Sequence, residues 1–283
     1  MTKNVLTDAG DLLTYSYDGT PDQPQVLPEV VVMPESEEEI VQIVKLAKEE
    51  GLHIYTRGSG TNLSGGTIPL RKGIVLVTTR MNKIVEVDAE NLTATVQPGV
   101  VINTLNDAVS PYGLMYPPDP GTVKTATMGG SVSESSGGLR GLKYGVTKDY
   151  VMGVRMVLAN GEVVTFGGKS VKNVAGYDLT KLVCGAEGTL GIITEILVKL
   201  IAKPQYSKTM TATFNALKDA GYAISGIIAD KVVPATMELL DQVTLQVVEE
   251  YIHIGLPTDA KVMLLMQVDA TWKPKLNWKH RNG

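Results

Sequence analysis

The sequence predicts an α+β protein with a large first domain and an incomplete second one. Strands and an amphipathic helix alternate between residues 30 and 57, and antiparallel strand pairs are expected within 84–97 and 153–165. Beyond Pro204 a new strand–helix–strand alternation begins, which marks a domain boundary there. The 283 residues, 43% hydrophobic and 20% charged, suffice for one large domain or two ordinary ones.

The elements of the first domain follow from local signals. Residues 1–29, interrupted by prolines, are interpreted as a leading N-terminal arm. Ser36 followed by Glu39 forms a capping box that begins a helix, and Gly51 ends it. The Asn-Gly dipeptide at 160–161 is typical of a tight hairpin. Strands are expected at 30–33, 53–56, 74–79, 84–87, 93–97, 153–159, 162–165 and 192–200, and a second helix at 100–109.

The second domain is shorter and ends in an unusual composition. Strands are expected at 210–214, 234–240 and 262–269, with helices at 215–228 and 242–251. The tail from residue 270 holds both tryptophans and several basic residues without periodicity, so we interpret it as the end of an interrupted domain. Such a domain is expected to expose the apolar strand residues 263–266 at an unpaired edge, and therefore to oligomerise or to bind a partner chain.

Composition excludes several classes of function. The net charge of −4 gives no general attraction to nucleic acid or to an anionic membrane. No apolar run reaches transmembrane length and the first residues lack the core of a signal peptide, so we expect no integral membrane segment. The single Cys184 rules out an internal disulfide and fits a reducing cytoplasm. Cys184 is predicted to be a buried apolar residue rather than a nucleophile. Because the chain holds three histidines, we expect no histidine-rich metal site.

A glycine-rich segment follows the strand at 53–56 and is called here the first glycine loop, residues 57–66, RGSGTNLSGG. Such a loop can wrap a diphosphate with backbone N–H groups, and its serines and threonine add hydroxyl donors. It is not a Rossmann fingerprint, because Leu63 stands at the third glycine position and a strand rather than a helix follows. Diphosphate binding and a plain glycine-rich hairpin both remain open.

The most informative segment is the central stretch, residues 117–150, PPDPGTVKTATMGGSVSESSGGLRGLKYGVTKDY. Its glycine pairs at 129–130 and 137–138 let the backbone approach a ligand, and the serines between them supply hydroxyl donors. We expect a long loop without regular structure that binds a flat, polar, negatively charged ligand. The alternative is a surface turn region without a ligand. A further glycine loop at 184–191, CGAEGTLG, leads into the last strand of the domain.

In their order and spacing these segments resemble the flavin-binding domain of the vanillyl-alcohol oxidase type, also called PCMH-type. The likeness is closest to the branch of 2-hydroxy-acid oxidoreductases that holds the glycolate oxidase large subunit and D-lactate dehydrogenase. It rests on the first glycine loop, the central stretch, GGKSVKNVAGYDLTKLVCGAEGTLGIITE and GLPTDAKVMLLMQVD, and covers about residues 5 to 270. The resemblance implies a two-subdomain FAD-binding domain at 1–204, a partial α+β substrate (cap) domain at 205–269 and an atypical tail at 270–283.

The resemblance also implies which residues hold FAD. The main chain of the first glycine loop would bind the pyrophosphate, the Pro-Asp-Pro segment would lie near the isoalloxazine, and the 187–192 segment would complete the pocket toward the adenine and ribose. The residues so assigned are Arg57, Gly58, Ser59, Gly60, Thr61, Asn62, Pro118, Asp119, Pro120, Thr127, Gly129, Gly130, Ser133, Ser136, Gly137, Gly138, Glu187, Gly188, Gly191 and Ile192. Covalently flavinylated members carry a histidine where this chain has Thr61, so non-covalent FAD is expected.

The implied activity is oxidation of a small 2-hydroxy acid, such as glycolate or D-lactate, by hydride transfer to flavin. The electron acceptor and the catalytic base are not assigned, because the histidines and acidic residues that bind metal and substrate in such enzymes lie beyond the matching region. His253 is predicted to be a helix-end residue. The alternative is an FAD-binding fragment or subunit without turnover of its own. A weaker third alternative is a nicotinamide-dependent enzyme.

Overall fold

In the computed structural model, which describes residues 4–271, the first part of the chain forms two β-sheets with helices packed on them. Its strands are β1 Val5–Leu6, β2 Val30–Val32, β3 His53–Arg57, β4 Gly73–Val77, β5 Ile84–Asp88, β6 Thr93–Val96, β7 Leu114–Met115, β8 Val151–Val157, β9 Val163–Gly167 and β10 Ile192–Lys199. Its helices are α1 Ala9–Leu13, α2 Glu37–Glu50, α3 Ile102–Val109, α4 Met128–Glu134 and α6 Leu179–Val183.

The two sheets differ in topology. The four-stranded sheet has the order β1-β2-β4-β3, with β2, β4 and β3 parallel and β1 antiparallel to β2. The five-stranded sheet has the order β5-β6-β10-β8-β9 and is antiparallel throughout. This two-sheet arrangement matches the two-subdomain α+β fold that the resemblance implies.

Local signals predicted helix α2 and the hairpin correctly. Ser36 Oγ accepts a hydrogen bond from the Glu39 N–H at 3.3 Å, and Gly51 ends the helix in the left-handed conformation with φ 68°. The β8–β9 pair turns at residues 160–161, where Gly161 has φ 84°. On the buried side of α2, Ile40 and Val44 pack against both sheets, which fixes the helix between them.

Two expectations for the glycine-rich segments are wrong. β3 and β4 are parallel neighbours, so the first glycine loop is a crossover and not a hairpin. The central stretch is not free of regular structure, because it contains α4. This helix forms despite its two glycines since Met128 and Val132 are fully buried in the core of the first part. Tertiary burial here outweighs the poor helix propensity of glycine.

The second compact unit comprises residues 139–145 and those from Ala202 onward. Its elements are α5 Gly141–Tyr144, β12 Tyr206–Phe214, α7 Leu217–Ala229, β13 Thr236–Asp241, α8 Gln242–Ile252 and β14 Val262–Ala270, and the short β11 Ile201–Ala202 lies at the junction. They follow the predicted alternation. Within this unit Asp269 accepts a hydrogen bond from Tyr144 Oη at 2.8 Å and pairs with the Lys143 ammonium, which ties segment 139–145 to β14.

The expected position of the open sheet edge is wrong. β14 is the central strand of the order β12-β14-β13; it pairs with β12 along its whole length and with β13 over residues 262–267. Met263, Leu264 and Met266 are accordingly buried. The edges of this sheet are β12 and β13 instead. The tail beyond residue 271, to which the sequence assigned an atypical character, lies outside the described residues.

Candidate functional site

A cavity of about 460 Å³ opens in the first unit where three glycine-rich segments meet. One wall is the first glycine loop after β3, the second is the central stretch with α4, and the third is the 187–193 segment that leads into β10. The predicted residues that line it are Gly58, Ser59, Gly60, Thr61, Asn62, Pro120, Thr127, Gly129, Gly130, Ser133, Ser136, Glu187, Gly188 and Gly191. Segments far apart in the sequence are thus brought to one site.

Six of the predicted residues do not line this cavity: Arg57, Pro118, Asp119, Gly137, Gly138 and Ile192. The Arg57 side chain is buried and donates through Nη1 to Tyr17 O at 2.6 Å and to Thr67 Oγ1 at 3.1 Å. Ile192 belongs to the hydrophobic core beneath α2. Gly138 lies directly against the backbone of Asp119, where an added Cβ would overlap the carbonyl. Arg57, Ile192 and Gly138 thus make contacts inside the protein rather than at the cavity surface.

Sequence reasoning missed other residues of the lining. They are Thr56, Leu63, Ser64, Gly66, Thr67, Thr78, Pro98, Thr122, Ala126, Ser131, Glu134 and Ile193. Most are neighbours of predicted residues, and Ser64 and Ser131 lie in segments whose hydroxyls were already singled out. Pro98 and Thr78 carry no recognisable signal of their own, since they reach the site only through the packing of the two sheets.

The lining offers hydrogen-bond donors without cationic side chains. Within the described part of the chain, the backbone N–H groups of residues 59–64 donate to no protein acceptor. Serine and threonine side chains also line the cavity, and among residues 4–271 no lysine, arginine or histidine does so. Consecutive free N–H groups form a concave site that attracts anions. The volume lies within the range usual for small-molecule sites.

Glycine is required where the first glycine loop meets α4. A Cβ on Gly58 would overlap Thr127 Oγ1, the N-cap oxygen that accepts from the Gly130 N–H at 3.3 Å. A Cβ on Gly129 would come within 2.6 Å of Pro98 Cβ. The glycines expected to admit a ligand therefore also allow close contact between protein segments. Both reasons apply at Gly129, which lines the cavity as well.

Two carboxylates are the charged groups of the lining. Ser64 Oγ donates to Glu134 at 3.1 Å from Oε1 and 3.2 Å from Oε2. Burial raises the pKa of Glu134, the nearby charges of Glu187 and Asp18 raise it further, and the Ser64 hydrogen bond opposes them. Glu187 has a left-handed backbone with φ 53°, and its N–H donates to Ser133 O at 2.9 Å. That bond joins the third wall to the second.

A cluster of hydroxyl groups fixes the second wall. Ser131 Oγ hydrogen-bonds to Ser136 Oγ and, at 2.9 Å, to Thr147 Oγ1. Thr147 Oγ1 also donates to Ser136 O at 2.8 Å. Because Ser131 and Ser136 line the cavity while Thr147 is fully buried, the network anchors the turn after α4 to the domain interior.

Cys184 and His253 occupy the positions expected of them. Cys184 is buried in the main core, and burial raises the pKa of its thiol to about 11, so the nucleophilic thiolate is suppressed. His253 is the C-terminal cap residue of α8. Among residues 4–271 no group of three or more His, Cys, Asp or Glu side chains is arranged to hold a metal ion. In the same residues no helix is both long and apolar enough to span a bilayer.

Comparison with known proteins assigns this architecture to a family. The family model for the FAD binding domain matches residues 28–167, and that for FAD linked oxidases, C-terminal domain, matches residues 203–282. The chain belongs to the FAD-linked oxidases. This confirms the resemblance on which the sequence-based assignment rested, and FAD is the cofactor of the matched domain.

Individual relatives support the same assignment within the FAD-linked oxidases. Glycolate oxidase subunit GlcD of Bacillus subtilis (strain 168) is 53% identical over 261 residues, which cover 92% of this chain and 55% of the relative. D-lactate dehydrogenase of Archaeoglobus fulgidus is 38% identical over 241 residues, which cover 83% of this chain and 53% of the relative. The chain therefore spans about half the length of the curated relatives it matches.

Solved structures confirm the fold of this FAD-linked oxidase. Alkyldihydroxyacetonephosphate synthase superposes with a TM-score of 0.81 at 25% identity, over 95% of this chain and 54% of that chain. p-Cresol methylhydroxylase with substrate bound superposes with a TM-score of 0.76 at 19% identity, over 95% of this chain and 58% of that chain. The residues of the cavity fit the cofactor, because free N–H groups and hydroxyls suit a diphosphate and carboxylates can accept from sugar hydroxyls.

Proposed function

We propose that the cavity binds FAD non-covalently and that the chain acts in the oxidation of a small 2-hydroxy acid such as glycolate or D-lactate. The observation that supports the cofactor site is the run of backbone N–H groups at residues 59–64 that donate to no protein acceptor in the described part of the chain, in a cavity also lined by serine and threonine hydroxyls. The substrate class rests on the names of the two relatives, one a glycolate oxidase subunit and one a D-lactate dehydrogenase.

The chain's own groups divide the work of binding. The N–H groups of residues 59–64 would hold the diphosphate, and the hydroxyls of Ser59 and Thr61 would add donors. Because a carboxylate next to a diphosphate is repelled by it, Glu134 and Glu187 would lie beside another part of the cofactor and accept hydrogen bonds from its sugar hydroxyls. Arg57, Pro118, Asp119, Gly137, Gly138 and Ile192 would act from behind the lining. Bound FAD would supply the hydride acceptor.

The lining residues support non-covalent attachment. Thr61 stands where covalent members of the resembled superfamily carry a histidine, and no histidine, cysteine or tyrosine lines the cavity among the described residues. The test is an absorbance spectrum of the purified protein before and after acid precipitation. The flavin band is expected to move wholly to the supernatant. Flavin retained in the washed precipitate would refute non-covalent binding.

The second candidate is an FAD-binding subunit that turns over only when another chain completes the substrate site. It is supported by the printed name of the Bacillus subtilis relative, which describes a subunit. The catalytic base stays unassigned, because His253 is exposed at the end of α8 and is not among the residues that line the cavity.

An anaerobic reduction experiment separates the two candidates. The FAD-loaded protein is mixed with D-lactate or glycolate, and bleaching of the flavin band is followed, with L-lactate as the stereochemical control. Bleaching by D-lactate or glycolate, but not by L-lactate, supports turnover by this chain. Bound FAD that dithionite bleaches but neither acid does supports the subunit without turnover. Titration with NADH tests the nicotinamide alternative, which predicts saturable binding.

A partner or a second copy of the chain is expected to cover part of the second unit. Helix α8 exposes Val243, Val247 and Tyr251 at 65%, 60% and 88%, spaced four residues apart on one face. This stripe is an exposed apolar surface, whereas Met263, Leu264 and Met266 are buried. The printed name of the Bacillus subtilis relative describes a subunit. Sedimentation at micromolar concentration should show an oligomer, and a monomer would count against a second copy. The cytoplasmic location expected from the sequence stays a prediction.

A further inference from the structure

We propose that residues 15–20 of the N-terminal arm hold the first glycine loop in the conformation that turns its N–H groups toward the cavity, with Asp18 and Gly19 as positioning residues. Neither residue lines the cavity. The inference rests on the proposed FAD site and concerns what prepares that site for its ligand.

Asp18 joins the middle of the loop and the residue that follows the loop to the arm. Its Oδ2 accepts from Asn62 Nδ2 at 2.8 Å and from Thr67 Oγ1 at 3.0 Å, and its Oδ1 accepts from the Thr20 N–H at 2.9 Å. Thr20 Oγ1 in turn accepts from the Gly65 N–H at 2.7 Å. Asn62 and Thr67 both line the cavity, so one carboxylate outside the cavity holds two points of its wall.

Gly19 determines which way the loop peptides face. Its N–H donates to Gly60 O at 3.0 Å, and a Cβ built on it would lie 2.9 Å from Asn62 O and 3.3 Å from Thr61 O. Three successive carbonyls thus face the arm. In a trans peptide the N–H points opposite to the carbonyl of the same unit, so the N–H groups of residues 61–63 point away from the arm. Residues 61–63 also line the cavity, so we infer that these N–H groups point toward it.

Arg57 also connects the arm to the segment that follows the loop. Its guanidinium donates to Tyr17 O and to Thr67 Oγ1, and it lies over the Tyr15 ring at 5.6 Å. Burial lowers the pKa of Arg57, while the charge of Asp18 opposes that effect and keeps the guanidinium compensated. The arm, Arg57 and the loop therefore form one connected network.

The functional consequence is preorganisation. A glycine-rich loop has many accessible backbone conformations, and ordering it when the ligand binds would reduce affinity. Contacts made by the arm order the loop during folding instead. Weakening these contacts should therefore lower the affinity for the diphosphate cofactor more than it disturbs the rest of the domain.

The first test compares two glycine substitutions near the N-terminus. Gly19→Ala places a Cβ against the backbone of the loop, whereas Gly10→Ala in α1 meets open space. We expect Gly19→Ala to raise the dissociation constant of FAD about tenfold, roughly the loss of one net hydrogen bond, and Gly10→Ala to leave it unchanged. Stripped protein is titrated with FAD by fluorescence quenching, with far-UV circular dichroism as the check on folding.

A local spectroscopic measurement distinguishes positioning from general destabilisation. At saturating FAD, the two ³¹P resonances of the bound diphosphate should shift in Gly19→Ala relative to wild type, while the visible flavin spectrum stays the same. Unchanged phosphorus resonances together with an unchanged dissociation constant would overturn the inference.

A second variant covers the case in which Gly19→Ala does not fold. Asp18→Asn replaces the carboxylate that accepts from Asn62, Thr67 and Thr20 by an amide, and Asp22→Asn, exposed on the same arm, is its matched control. We expect the FAD dissociation constant to rise several-fold in the first and to stay unchanged in the second. Equal constants for Asp18→Asn and wild type contradict the positioning role. A wild-type protein that binds no FAD overturns the proposed function as well.

Discussion

Replacing Gly129 by alanine tests whether this glycine serves close packing between protein segments. Gly129 is in the first turn of α4, and its N–H donates to Pro98 O at 2.8 Å. An added Cβ would lie 2.6 Å from Pro98 Cβ and 3.1 Å from Pro98 O. These atoms belong to a rigid ring and to the backbone, so α4 or the β6–α3 connection must move. The adjacent Gly130 provides the control, because its added Cβ would approach only Thr127 Oγ1, at 3.2 Å.

The expected difference follows from two opposing effects. Alanine is preferred over glycine in a helix by about 0.5–1 kcal/mol, and this gain is similar at the two adjacent positions. Overpacking typically costs about 1–3 kcal/mol, and it applies in full only at Gly129. Gly129→Ala should therefore be less stable than Gly130→Ala by about 1–3 kcal/mol.

The measurement is equilibrium urea unfolding of the FAD-free protein, followed by far-UV circular dichroism, for wild type and both variants. Equal slopes with a lower midpoint for Gly129→Ala would indicate a change in stability alone. If Gly129→Ala and Gly130→Ala unfold at the same urea concentration, the close contact with Pro98 does not account for the glycine. The FAD affinity of the two variants would then show how the added methyl groups affect the cavity itself.

Three further predictions concern single groups. Hydrogen bonds from Arg155 hold the pKa of Glu37 below its usual range, so Glu37→Gln should lower the free energy of unfolding by about 0.5–1 kcal/mol at neutral pH. The stability difference between wild type and variant should vanish as the pH falls through the folded-state pKa of Glu37. Urea midpoints at pH 7 and in acid check this. Because burial raises the pKa of Cys184 to about 11, a thiol reagent at pH 8 should label it slowly in the native protein and rapidly in denaturant; fast native labelling would contradict the burial. Removing the hydroxyl in Ser64→Ala should raise the pKa of Glu134 further, and a ¹³C carboxyl titration showing no rise would refute the assigned hydrogen bond.

Much of the fold could be predicted because its signals are local. The cap at Ser36, the helix end at Gly51 and the turn at 160–161 each depend on a few adjacent residues, and all three are confirmed. The alternation of strands and helices after Pro204 is confirmed for the same reason, since hydrophobic periodicity over ten residues is visible without the partner segments.

The cavity could be predicted only in part. The three glycine-rich segments were identified, and the family resemblance placed them around one ligand. The lining residues Pro98 and Glu134 and the supporting Asp18 were missed, because each acts through a contact with a segment distant in the sequence. The parallel pairing of β3 with β4 and helix α4 were missed for related reasons, since pairing and burial are properties of the assembled domain.

The amino-acid sequence by itself determined the α+β class, the ends of the helices with clear caps, the family and its cofactor, because these depend on local propensity and on the order of motifs. Only the tertiary structure decided which peptide N–H groups of the first glycine loop lack a protein acceptor in the described part of the chain, which glycines are required by neighbouring backbone, and which strand lies at the centre of the second sheet. The physical reason is that excluded volume and hydrogen-bond pairing between distant segments exist only after those segments have been brought together.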